Sequence, residues 1–187
     1  GVALADRLSV DNRLSVSMGK VQTGVLNKKT MEKRVSLMLK NRGDKYVIFY
    51  MVDLDNFKNV NDTLGHIYGD QAIVETAQCL NKVFANQDCI GRLGGDEFAV
   101  CVSYQAFDEQ GLLEFIGKKA QEICAGNRRT YTDNASSVSI TSSIGVAYAP
   151  DMGDSFTELY TQADCALYYS KANGKDQYHI YSPKDDN

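Results

Sequence analysis

Met31, Val35, Met38 and Leu39 recur at i, i+4, i+7 and i+8, the apolar stripe of an amphipathic helix that ends near Gly43. The period then changes. The run YVIFYMV, residues 46–52, is almost continuously apolar and rich in β-branched and aromatic side chains, as a strand buried on both faces requires. A second helix is expected from about Gly69, with Ile73, Ala77, Leu80 and Phe84 on one side. Two short strand patterns, Cys89 to Leu93 and Glu97 to Ser103, flank Gly94-Gly95, which is a hairpin signal. Leu112, Phe115, Ile116 and Ile123 mark a third long helix, and residues 126–136, GNRRTYTDNAS, read as a polar loop. VSITSSIGVAYA follows as one strand or a hairpin pair, then a last helix marked by Phe156, Leu159, Ala163, Ala166 and Leu167, and a closing strand from Gln177 to Tyr181. Near the start, Leu8, Val10, Leu14 and Val16 in the near-repeat DRLSV/DNRLSV predict a helix over residues 3–18 that leads in from something upstream. Helices and strands alternating around one main sheet predict an α/β or α+β sandwich.

Composition narrows the class. At 187 residues, with 43% apolar and 24% charged side chains, the chain is long enough for one buried core and too ordinary in content for a disordered or collagen-like protein. No apolar run approaches the roughly 18–20 residues of a membrane span, so no membrane contact is expected in this segment. The five cysteines form no C-x-x-C pair and read as reduced thiols in a cytosol. A net charge of −4 opposes nonspecific binding to nucleic acid, and a polyanionic substrate would need local cations.

Three polar clusters carry candidate chemistry. DLDNFKNVND, residues 53–62, follows the central strand directly, and acids at a buried strand end are costly unless a cation compensates them. Asp53 is the leading metal-ligand candidate; Asp53 and Asp55 as caps of the following helix are the competing structural reading. A calcium loop of the EF-hand type fails, because its Gly and Glu positions hold Lys58 and Leu64. The second cluster, LGGDEF at 93–98, puts Asp96 and Glu97 at a glycine turn where a ligand can approach the backbone; a plain turn with two solvated acids is the alternative. In the third, SKANGK at 170–175, Lys171 and Lys175 lie four apart at a helix end, a phosphate-neutralising pair or ordinary dipole partners. Acidic strand end plus acidic hairpin, with no Walker A loop or G-x-G-x-x-G, suits metal-dependent nucleotidyl transfer.

Together these segments resemble the GGDEF domains, the diguanylate cyclases that condense two GTP into cyclic di-GMP. The likeness runs through TGVLNKK (23–29), DLDNFKNVNDTLGHIYGD (53–70), RLGGDEF (92–98), SIGVA (143–147) and ADCALYYSKANGK (163–175), over about residues 20–182. It implies a lead-in segment over 1–19, the domain over 20–182 and a polar tail over 183–187. The implied fold is a central, mostly antiparallel sheet flanked by helices, similar to adenylyl cyclase and polymerase palm cores. Asp53, the Leu54 carbonyl and Glu97 would hold Mg²⁺ or Mn²⁺, with Asp96 beside them as a further ligand or as the group that helps deprotonate the ribose 3′-hydroxyl. Asn61 and Asp70 match positions that read guanine, and His66 supports that pocket. Phe57 and Lys58 fall on the phosphate side, with Lys58 counted among the catalytic groups. Gly94 and Gly95 lie where GTP crosses the hairpin, and Lys171 and Lys175 match positions that neutralise the β- and γ-phosphates.

The chain departs from the family pattern in three places. An inhibitory product site of the form Arg-x-x-Asp is replaced by Ala85-Asn86-Gln87-Asp88, the entrance D-x-L-T by Lys20-Val21-Gln22-Thr23, and a common Arg by Lys175. The resemblance implies GTP as substrate, cyclic di-GMP as product, a homodimer for catalysis and an upstream sensor domain, in the cytoplasmic part of a larger protein. The competing function is a GGDEF domain without turnover that binds GTP or cyclic di-GMP as a regulatory module.

Overall fold

A computed structural model describes residues 23–186. In chain order it contains β1 (Leu26–Asn27), α1 (Lys28–Lys40), β2 (Tyr46–Asp55), α2 (Phe57–Leu64), α3 (His66–Val83), β3 (Cys89–Gly94), β4 (Glu97–Tyr104), α4 (Glu109–Asn127), β5 (Arg129–Thr132), β6 (Ser137–Ala149), α5 (Phe156–Ala172) and β7 (Gln177–Ile180), then a 3₁₀ turn at Pro183–Asp186. The expected helix over 3–18 and the segment Lys20-Val21-Gln22 lie outside the described residues.

The strands form one sheet in the order β1-β3-β4-β2-β6-β5, with β7 also on β6. The pairs β3–β4, β4–β2, β2–β6 and β6–β5 are antiparallel, whereas β1–β3 and β6–β7 are parallel. The mostly antiparallel expectation holds. Because side chains alternate along a strand, β2 feeds two cores. Ile48, Tyr50, Val52 and Leu54 pack on one face with Ile73, Ala77 and Leu80 of α3 and with Leu112, Ile116 and Ile123 of α4. Val47, Phe49 and Met51 pack on the other with Met31 and Val35 of α1 and with Leu159, Ala163, Ala166 and Leu167 of α5. The continuous apolar run of β2 follows from this burial on both faces. Among the described residues no helix is long and apolar enough to cross a membrane, and no cysteine forms a disulfide.

Small residues set the closest approach. Gly145 of β6 lies under α5, where a Cβ would overlap the Ala163 carbonyl and the Leu167 amide. Helix starts are capped by side chains: Asn27 accepts from the Thr30 amide (2.9 Å), Asp108 from Gly111 (2.7 Å) and Ser155 from Glu158 (3.1 Å).

Three expectations are corrected, and the choice between a single strand and a hairpin after residue 136 is settled as the single strand. Residues 126–136 are not a loop: α4 runs to Asn127 and Arg129–Thr132 form an edge strand, with Tyr131 buried and the Thr130–Ser139 and Thr132–Ser137 hydroxyls paired at 2.8 Å across to β6. Residues 137–149 are one continuous strand rather than two, its first part serving β5 and its second β7. The helix expected from Gly69 starts at His66, after a separate short helix α2, and the chain turns between them at Gly65 with φ +96°. Finally, Asp53 and Asp55 do not cap a helix: both still belong to β2, and the residue before α2 is Asn56, in a left-handed conformation with no side-chain cap.

Candidate active site

Alternation along β2 sends Asp53 and Asp55 to the α1–α5 face, the side that already buries Val47, Phe49 and Met51. The β2–β4 register sets Asp53 opposite Glu97, and cross-strand pairs of this kind stand with Cβ atoms about 5 Å apart. Beyond Glu97 the hairpin closes through the Leu54 amide, which donates to the Asp96 carbonyl at 3.2 Å. The hairpin turns tightly: β3 bulges between Arg92 and Gly94, Gly95 takes φ +25°, and the Arg92 Nε donates to the Gly95 carbonyl at 2.8 Å.

Electrostatically these acids are under-compensated. Lys171 of α5 reaches in, placing Nζ 2.9 Å from Asp53 Oδ2 and 3.3 Å from Asp55 Oδ1. Asp53 Oδ1 is buried with no hydrogen-bond partner. Burial, then the neighbouring Asp53 charge, pushes the Asp96 carboxyl up to about 6. Glu97 is also raised, by burial first and then by Asp53, against the pull of the Lys28 ammonium. Burial works against the charge of Lys171, but its bonds to Asp53 and Asp55 leave its pKa raised. An orphaned carboxylate oxygen facing a second acid is an arrangement that a divalent cation relieves. Among the described residues no three His, Cys, Asp or Glu side chains close into a complete metal cage. Asp53 and Glu97 offer the one or two carboxylates that Mg²⁺ or Mn²⁺ would keep, the remaining oxygens coming from water and phosphate.

Asp55 behaves differently from Asp53. Only 3% exposed, it accepts from Thr141 Oγ1 (2.7 Å), Ser143 Oγ (2.7 Å), Lys171 Nζ (3.3 Å) and the Asp176 amide (3.2 Å).

The remaining expected site residues lie around the turn from α2 into α3 and at the end of α5. Asn61 sits against Gly69, where a Cβ would overlap Asn61 Oδ1, so the glycine makes room for the amide. His66 and Asp70 lie one turn apart on α3, and both are exposed. Phe57 packs partly against the core, whereas the Lys58 side chain points outward, 92% exposed, with Nζ 4.0 Å from Asp62. Lys175 is exposed in a left-handed turn, φ +60°. Asp53, Leu54, Asp96, Glu97 and Lys171 are thus brought together, while Lys58 is turned away from them. At the position of the missing Arg-x-x-Asp, Ala85 to Asp88 form a tight turn, with the Ala85 amide donating to Asp88 Oδ2 at 2.9 Å.

Sequence reasoning missed several neighbours. Burial, then the Glu97 charge, raises the pKa of the Tyr160 phenol on α5, and the Lys28 ammonium lies 4.8 Å over the Tyr160 ring. Arg92 feels both Asp70 and Asp96; its signal was a charged residue inside an otherwise apolar strand pattern. Gly69 had a signal too, since a glycine inside a helix costs about 1 kcal/mol against alanine and asks for a packing reason.

The family model described as "Diguanylate cyclase, GGDEF domain" matches residues 21–177. The chain is 31% identical over 181 residues to the bifunctional diguanylate cyclase/cyclic di-GMP phosphodiesterase MucR of Pseudomonas aeruginosa, covering 96% of this chain and 25% of that protein. It is 30% identical over 162 residues to the cyclic di-GMP phosphodiesterase PdeR of Escherichia coli K12, covering 87% of this chain and 24% of that one. The chain therefore spans about a quarter of the length of these curated relatives. Among solved structures, the GGDEF domain of PA1120 (TpbB or YfiN) from Pseudomonas aeruginosa superposes with a TM-score of 0.78 at 29% identity, covering 88% of this chain and 94% of that one. The acidic hairpin at residues 94–98, the strand-end aspartate opposite it and the matched model agree, and the chain belongs to the GGDEF domain family.

Proposed function

We propose that this domain is a diguanylate cyclase that joins two GTP molecules into cyclic di-GMP with release of two pyrophosphates. The observation that carries this reading is Asp53: a half-buried carboxylate with one buried, unpartnered oxygen, directly across from Glu97 at the mouth of the GGDEF hairpin. Mg²⁺ or Mn²⁺ bound by Asp53, Glu97 and the Leu54 carbonyl would stabilise charge on the attacking and leaving oxygens. Asp96, with a carboxyl near 6, is ionised at neutral pH yet basic enough to take the 3′-hydroxyl proton. As that oxygen bonds to the α-phosphorus of the other nucleotide, the bond to pyrophosphate breaks. Asn61 and Asp70 present an amide and a carboxylate, which complement the acceptor and donor groups of the guanine edge. Lys171 and Lys175 offer cations to the β- and γ-phosphates, and Gly94-Gly95 lets the nucleotide lie close to the backbone. Each copy holds one GTP, so turnover requires two copies facing each other.

A regulatory reading, in which the domain binds GTP or cyclic di-GMP without turnover inside a larger protein, draws support from the relative named as a phosphodiesterase. Incubation of the chain with GTP and Mg²⁺, followed by mass spectrometry, separates the two. Cyclic di-GMP formation that rises more steeply than protein concentration is the expected result; nucleotide binding without product would leave the regulatory reading.

A further inference from the structure

The turn that carries Lys175 is held from outside the site. Helix α5 stops in a Schellman-type turn: Gly174 takes φ +115° and the Lys175 amide donates back to the Ser170 carbonyl at 3.0 Å. Both Lys175 (φ +60°) and Asp176 (φ +49°) are then left-handed, a conformation that residues with a Cβ avoid. Three sets of bonds hold the backbone there. Gln177 Nε2 donates to the carbonyls of Ser170 (3.3 Å), Asn173 (2.7 Å) and Lys175 (3.1 Å). Inward, the Asp176 amide donates to Asp55, the carboxylate that also receives Lys171. Outward, the Asp176 carboxylate is gripped by Arg128, whose Nε lies 3.1 and 2.9 Å from its two oxygens.

Arg128 belongs to neither the hairpin nor α5. It is the residue between α4 and β5, half exposed, and it ties the turn to a different part of the fold. From this geometry we infer that Arg128, acting through Asp176, is a positioning residue for the phosphate-binding pair Lys171 and Lys175. A lysine in an exposed turn keeps its own rotamer freedom, so the backbone under it is what the protein can place in advance. Asp176 does this placing from both sides, its amide on Asp55 and its carboxylate on Arg128. Freeing the carboxylate leaves a left-handed pair with one anchor fewer, and Lys175 then samples positions away from Lys171. The effect should be confined to ligands that carry β- and γ-phosphates.

This inference rests on the phosphate role proposed for the two lysines, and the test separates its failure from failure of the cyclase reading. Calorimetric titration of the full chain, with Mg²⁺, uses the α,β-methylene analogue of GTP and, in parallel, GMP, which lacks the outer phosphates. Arg128→Ala and Asp176→Asn should each weaken the analogue about three- to tenfold and leave GMP within twofold, since a charge-assisted contact is lost without touching the base pocket. Asn tolerates the left-handed conformation and keeps the amide donor, so the second variant guards against simple unfolding of the turn. Arg128→Lys, which keeps the charge and loses the planar guanidinium, should fall between wild type and alanine. The double variant should be no weaker than either single one, because both remove the same contact. In steady state the same changes should raise KM and spare kcat. Analogue affinity unchanged within threefold, or equal losses for GMP and the analogue, would overturn the positioning role. A wild-type chain that makes no cyclic di-GMP but still shows the phosphate-selective loss would sink the cyclase reading and leave this one standing.

Discussion

At the carboxyl end of β2 the two flanks of the strand are built to different standards. Toward β6, Asp55 is 3% exposed and answered by two hydroxyls, an ammonium and a backbone amide. Toward β4, two residues earlier on the same face, Asp53 shares that ammonium but keeps one buried oxygen without a partner, beside Asp96 and Glu97 with raised pKa values. A buried acid with all its donors supplied holds elements together; one left short is poised for a cation the protein itself does not provide. The same residue type at neighbouring positions thus serves architecture on one side and chemistry on the other.

The sharpest way to break this contrast is to neutralise the under-supplied side. Asp53→Asn or Glu97→Gln should reduce cyclic di-GMP synthesis by roughly 10²–10³-fold or more while thermal melting shows an intact fold. Activity within a few-fold of wild type, at matched protein and Mg²⁺, would remove the metal assignment. Next in size is the saturated side: Asp55→Asn puts an amide where four donors converge and should cost about 2–4 kcal/mol in urea unfolding. A loss under about 1 kcal/mol would show that Asp55 does not carry the architecture. The smallest effect separates function from stability at Asp96. Its folded pKa of about 6 stands above the ordinary carboxylate value, so its contribution is most favourable at low pH and declines as pH rises from the ordinary carboxylate value through about 6. Asp96→Asn lacks that decline and should melt about 1–4 °C higher than wild type near pH 7.5, with the gap closing below about pH 4. A gap that stays constant with pH would mean that the acid is not strained by burial and by Asp53.

Most of the fold was legible because apolar periodicity is a local signal. The runs at Met31–Leu39, Tyr46–Val52 and Phe156–Leu167 fell in the expected elements. Residues 129–132 were not recognised, since an edge strand with one wet face can be as polar as Arg-Thr-Tyr-Thr, and its register depends on β6 rather than on its own composition. Helix α2 was hidden for a similar reason: of its eight residues only Val60 is buried. At the site, Asp53 and the hairpin acids could be found because acids at strand ends and glycine turns stand out along the chain. The role of Asp55 could not, because its partners at Thr141, Ser143 and Asp176 lie 86, 88 and 121 positions away.

The long strand β6 has a consequence for how the protein is made. The apolar centre of the sheet, Tyr46 to Val52, pairs with β4 on one edge, but on the other Phe49 waits for Ala147. At ribosomal speeds of about 5–20 residues per second, that edge stays open for on the order of 5–20 s while helix and hairpin segments emerge. During this interval the nascent chain offers an unpaired, aromatic and β-branched edge, the kind of surface that recruits other chains. Truncation before residue 137 would make this state permanent, and such fragments should collect in aggregates or on chaperones rather than fold as a smaller sheet.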